Sequence, residues 1–64
     1  MHVNGKLYAH HDGLTLHKLL AELKLEQRAI TVMHGEEIHR AGRIPNSPLA
    51  ERDVIEIVIM MQGG

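Results

Sequence analysis

Val54-Ile55-Glu56-Ile57-Val58-Ile59-Met60-Met61, followed by Gln62-Gly63-Gly64, closes the chain. Read at the two-residue period of a strand, this run puts Ile55, Ile57, Ile59 and Met61 on one face and Val54, Glu56, Val58 and Met60 on the other. Apolar residues dominate both faces, a pattern that predicts a strand at the centre of a sheet. Gly63 and Gly64 lack a Cβ, so they make a slender, pliable end that can thread a narrow channel and present a carboxylate to another protein's active site. Only Gln62 separates strand from glycines, so the expected layout is a rigid stem with a mobile tip.

Working back from this strand, a leucine stripe at Leu16, Leu19, Leu20 and Leu23 recurs at helical spacing, with Lys18, Glu22 and Lys24 on the other side. Thr15 is placed to cap this helix, and Leu14 to pack on Leu19 as a hydrophobic staple. The stripe reads as core. Before it, Val3 and Leu7 flank Asn4-Gly5, the pair suited to a two-residue type I′ turn, which predicts a hairpin in residues 1–10. Its short first strand needs a longer neighbour, and the closing strand is the natural one.

Residues 30–33, Ile-Thr-Val-Met, predict a further strand, after which His34-Gly35 turns the chain towards Ile38 and Arg40. Gly42 to Pro48 is punctuated by two prolines and predicts an irregular connection with room for one short helical turn; Leu49 is expected to plug the core. One helix on a mixed sheet, with first and last strands adjacent and parallel at its centre, buries these segments most economically. This is an α+β, β-grasp (ubiquitin-like) arrangement, with residues 1–61 as the domain and 62–64 as the tail. The sheet face away from the helix has no second helix to cover it. Val58 and Met60 on that face, with Met61 next to them at the strand end, are the expected partner-docking residues, the alternative being a loop laid over that face.

Composition narrows the function. A chain of 64 residues has little room for its own substrate cleft, which favours a binding, carrier or regulatory module over an enzyme. Its formal net charge is −1, its seven Lys and Arg are scattered along the chain, and Tyr8 is its only aromatic residue, so nothing advertises nucleic acid. No apolar run approaches a membrane span and the start lacks a secretory layout, so a cytoplasmic location is expected. The lack of cysteine removes a disulfide framework and a thiolate nucleophile. Six histidines raise a metal site, with His10-His11 and His34, His39 as groupings. Adjacent strand residues point to opposite faces and no pair has the i, i+4 spacing of a zinc helix, so exposed, incidental histidines are expected instead.

The order and identity of these features resemble the ThiS group of sulfur carrier proteins of thiamin biosynthesis, relatives of the molybdopterin carrier MoaD and of ubiquitin. The resemblance rests on Val3-Asn4-Gly5, Leu14-Thr15-Leu16 through Leu19-Leu20, Ile38-His39-Arg40, Leu49 through Asp53-Val54-Ile55-Glu56-Ile57-Val58, and Gly63-Gly64. It departs where the family usually has Asn, near His34, and where it usually has Gly, at Arg52. An Arg52 in the left-handed conformation open to Gly carries a strain of about 1–2 kcal/mol.

The resemblance implies a carrier with no bound cofactor and no catalytic side chain. A ThiF-like adenylyltransferase using ATP and Mg activates the Gly64 carboxylate, with Gln62, Gly63 and Gly64 threaded into the partner. A persulfide donor such as a cysteine desulfurase converts the acyl-adenylate to a thiocarboxylate, and a ThiG-like thiazole synthase receives the sulfur. The alternatives are a ubiquitin-like modifier conjugated through Gly64, a MoaD-like carrier for another pathway, and a β-grasp binding module that carries nothing.

Overall fold

The computed structural model describes residues 1–59. Its strands are β1 (His2–Val3), β2 (Lys6–Leu7), β3 (Ile30–His34), β4 (Glu37–His39) and β5 (Val54–Ile59), with the helix α1 (Leu16–Glu22) between β2 and β3. They form one sheet in the order β2-β1-β5-β3-β4, antiparallel throughout except for the parallel pair β1 and β5. The closing strand is central, as its two apolar faces imply.

Two residues each are too few for β1 and β2 to stand alone; β5 holds β1, and β1 in turn pairs with β2. The His2 N–H donates to the Asp53 carbonyl at 3.0 Å and the Asn4 N–H to the Ile55 carbonyl at 2.9 Å. Asn4 and Gly5 turn the hairpin with φ of 53° and 80°, the left-handed pair that a type I′ turn requires. Where β1 ends, the Asn4 side chain continues the ladder, its Oδ1 accepting the Ile57 N–H at 2.7 Å.

Helix α1 begins as expected, with Thr15 Oγ1 accepting the Lys18 N–H at 3.4 Å and with Leu14 and Leu19 both in the core. Its end is a Schellman motif, in which the Leu25 N–H reaches the Leu20 carbonyl at 2.9 Å and the Lys24 N–H the Ala21 carbonyl at 3.1 Å. The left-handed residue is Lys24, φ 58°, where glycine is the usual occupant. Leu16, Leu19 and Leu20 pack over Val3, Ile30, Val32, Ile55 and Ile57, with Met1, Ile44 and Leu49 closing the sides. Each such side chain contributes about 1.5–3 kcal/mol on burial.

Three expectations need correction. Residues 42–48 contain no helical turn, and the one short turn is the 3₁₀ segment Gln27–Ala29. The connection instead runs beside the approach to α1. The Leu16 N–H meets the Ser47 carbonyl at 2.8 Å and the Leu49 N–H the Leu14 carbonyl at 3.0 Å, leaving those groups no helical partner. Ile44 is buried there together with Leu49. Arg52 does not take up positive φ. The chain rounds this corner by a tight turn closed from the Asp53 N–H to the Ala50 carbonyl at 3.1 Å, which needs no glycine. Lastly, Ile59 shares the alternation of Ile55 and Ile57 yet is 59% exposed, because α1 ends at Glu22 and does not reach over it.

Candidate functional site: the end of the sheet where β5 stops

The register fixes where the chain leaves the sheet. Ile59 faces Ile30, the first residue of β3, so β5 runs towards the end at which the 3₁₀ turn feeds β3 and Arg40 to Gly42 leave β4. The Gly42 N–H closes that end by donating to the Gln27 carbonyl at 3.0 Å. Met60, Met61, Gln62, Gly63 and Gly64 follow Ile59 in the chain and lie outside the described residues, as does the proposed boundary between domain and tail.

Two apolar surfaces lie along β5, one on each face of the sheet. On the face away from the helix, alternation places Leu7, Val54, Val58, Met33 and Ile38 together, with Leu7 80%, Ile38 66%, Val54 52% and Val58 51% exposed. Among the described residues no loop covers this face. On the helix side, Ile57 and Ile59 face Leu23 and Leu25 across a groove walled by Lys6 and Tyr8. The leucine spacing predicted the helix without revealing this groove, which arises only because the helix is shorter than the strand beneath it.

Three of the six histidines, His10, His17 and His34, are not incidental. His10, His17, His34 and His39 are half-buried, and three of them hold backbone or carboxylate groups. The His10 ring donates through Nε2 to the Leu49 carbonyl at 2.7 Å, and the His17 ring through Nε2 to the Ile44 carbonyl at 2.6 Å. A carbonyl only accepts, so both rings carry their proton on Nε2. These two rings pin the proline-bearing connection to the helix side of the molecule, a role that only partners distant in sequence could reveal. No group of three or more His, Asp or Glu is arranged to hold a metal ion among the described residues.

His34 donates through Nε2 to Asp53 Oδ2 at 2.8 Å, and the same oxygen accepts the Ala50 N–H at 2.8 Å. This explains the departure at His34, since an imidazole supplies an N–H donor as an asparagine amide does. Burial pushes the Asp53 carboxyl up, but the Ala50 N–H and the His34 ring outweigh it and hold its pKa below the usual value. On the far flank, Tyr8 Oη donates to Glu22 Oε1 at 2.7 Å, and His11 Nε2 lies 3.6 Å from Glu22 Oε2. The Tyr8 bond is the main cause lowering the Glu22 carboxyl, and the same bond is the main cause raising the Tyr8 hydroxyl.

No helix among the described residues is long and apolar enough to cross a membrane. The described residues thus show exposed apolar surface on both faces of the sheet, and the comparisons with known proteins agree with a small carrier. The ThiS family model matches residues 1–64. The sulfur carrier protein ThiS of Thermus thermophilus is 38% identical over 53 residues, which cover 83% of each chain. With its five-stranded mixed sheet and single helix in the β-grasp arrangement, the chain belongs to the ThiS family.

Proposed function

We propose that this chain is a sulfur carrier of thiamin biosynthesis, acting through the carboxylate of Gly64. The observation that carries the reading is the family match along residues 1–64, together with the name of the Thermus relative, sulfur carrier protein. In this reading residues 1–61 are the scaffold, and Gln62, Gly63 and Gly64 enter the partner.

The chemistry begins at a carboxylate, a poor electrophile because resonance spreads its charge. Attack of the Gly64 carboxylate on the α-phosphorus of ATP, in a ThiF-like enzyme with Mg, expels pyrophosphate and leaves a mixed anhydride with AMP. The terminal sulfur of a partner's persulfide then attacks the Gly64 carbonyl and AMP departs, giving an acyl disulfide. A second thiol cleaves that S–S bond and takes up the partner's sulfur as a disulfide, which frees the thiocarboxylate. A ThiG-like thiazole synthase receives the sulfur. The clamping of phosphates falls to the activating enzyme, because that work needs metal ions and converging cations. The carrier's part is recognition, for which Val58, Met60 and Met61 are the proposed docking residues; Val58 stands exposed on the open face.

The test is to incubate the chain with ATP, Mg, a ThiF-family adenylyltransferase and a persulfide donor, then weigh it intact. Exchange of one oxygen for sulfur, absent when Gly64 is deleted, is the expected result. Ligation to a lysine of another protein would instead identify a modifier. An unchanged mass would sink both.

A further inference from the structure

The seven Lys and Arg are scattered along the chain, and the fold gathers most of them at one end. Arg28 lies in the 3₁₀ turn that feeds Ile30, the residue facing Ile59. Arg40 follows His39 out of β4, and the Arg43 N–H is tied to the Arg40 carbonyl at 2.9 Å. Lys24 sits between Leu23 and Leu25, which line the groove that Ile59 borders, and Lys6 is on that groove's other wall, further from the end and level with Ile55 through the pairing of Val3. All five are exposed. Among the described residues none of their side chains forms an ion pair or a hydrogen bond.

The carboxylates are distributed the other way. Glu26 is at this same end, and the nearby Glu22 is already engaged by Tyr8 and His11. Glu56 lies mid-strand opposite Met33. At the opposite end, Glu36 lies in the turn between β3 and β4 and Glu37 begins β4, Glu51 and Asp53 lie at the corner before β5, and Asp12 in the loop before α1. Lys18 and Arg52 are the cations there. A chain of formal net charge −1 is therefore a dipole whose positive end surrounds the point where β5 stops.

We propose that this positive end is a steering and docking surface for an acidic protein surface, an Asp- and Glu-rich rim around the entrance that receives the residues after Ile59. The proposal rests on the carrier reading for what enters, and adds the chemistry of the face that receives it. Ile38 and Val58 lie exposed on the open face and Ile59 on the helix side, so exposed apolar surface adjoins the cations on both faces of the sheet, and apolar surface edged by charge is the anatomy of a protein interface. The cations are spread over the end of α1, the 3₁₀ turn and the turn from Arg40 to Arg43, and among the described residues none lines a shared pocket with another, an arrangement suited to a broad surface rather than to gripping a small anion. Tyr8 is the only aromatic and is bonded to Glu22, so no platform exists for stacking bases. Rim charges of this kind act on the rate of encounter and on its salt dependence more than on the lifetime of the complex.

The experiment compares the chain, an Arg28→Glu/Arg40→Glu/Arg43→Glu variant and a Lys18→Glu/Arg52→Glu variant, each verified as folded by circular dichroism. Association with a ThiF-family adenylyltransferase is followed by stopped flow as salt is raised from about 0.05 to about 0.5 M. The triple variant is expected to associate at least about tenfold more slowly at low salt, with the gap closing at high salt and the double variant close to the parent. Equal slowing of both variants, no slowing of the triple variant, or a parent rate flat in salt overturns the proposal. As a probe independent of the enzyme, an oligoglutamate peptide titrated into the chain should shift the amide resonances around Arg28, Arg40 and Arg43. No shift there, or larger shifts with an RNA oligomer, overturns it equally. Failure of the carrier reading shows separately, as an unchanged intact mass of the parent chain at saturating enzyme.

Discussion

Asn4 performs two tasks, and variants can separate them. Its backbone occupies the left-handed region at φ 53°, and its Oδ1 satisfies the Ile57 N–H. Asn4→Gly keeps the backbone and removes the acceptor, leaving an N–H that costs about 1–3 kcal/mol when unpaired. Asn4→Ala adds the left-handed strain of about 1–2 kcal/mol. Urea unfolding should therefore rank the native chain above Asn4→Gly and Asn4→Gly above Asn4→Ala. An Ala variant as stable as the Gly variant would mean that the turn carries no strain. Lys24 presents the reverse opportunity. It holds φ 58° at the position that closes the Schellman motif, so Lys24→Gly should raise the unfolding free energy by up to about 1 kcal/mol, and a loss in the same titration would contradict that account.

At the scale of elements, the corner before β5 should make stability depend on acid. The folded state holds the Asp53 carboxyl below its ordinary pKa of 3.8, so the folded chain binds fewer protons than the unfolded one in that range. The contribution is fully present above the unfolded value and is lost as pH falls through the folded one. Urea midpoints should fall more steeply with acidification for the native chain than for Asp53→Asn, and parallel curves would remove Asp53 from the explanation. The connection from Arg40 to Asp53 has its own anchor. His17→Ala deletes the ring bond to the Ile44 carbonyl and should cost about 1–2 kcal/mol, with faster amide exchange confined to residues 43–49 as the sign that this anchor, and not the helix, has loosened.

At the scale of the whole molecule, among the described residues one short helix covers one face of a five-stranded sheet and leaves the other to solvent. Val58 is half exposed on that open face, so Val58→Asp should change stability by no more than about 0.5–1 kcal/mol. The same variant should weaken complex formation with a ThiF-family enzyme, because it places an unpaired charge in an apolar contact. Calorimetry on the free chain and a binding titration on the pair separate the two effects. Unaltered binding would move the docking surface off this face.

The sequence by itself determined the main elements and the central pairing of the first and last strands. Asn4-Gly5 dictates a hairpin turn, Thr15 with the leucine stripe dictates one helix, and a closing strand apolar on both faces has to be central. These are local or periodic signals, carried by each residue's own backbone preference and by burial. It determined the family as well, through residues spread along the chain. What the tertiary structure alone decided depends on contacts between residues far apart: the His10 and His17 anchors, the Asn4 bond to β5, and the pairing of His34 with Asp53. It also decided where charge sits. Arg28, Arg40 and Arg43 form no run in the sequence, and they share one end of the molecule because antiparallel pairing folds the start of β3, the end of β4 and the end of β5 onto the same edge. Coulombic forces follow distance in space, and no periodicity in a chain of scattered charges encodes that distance.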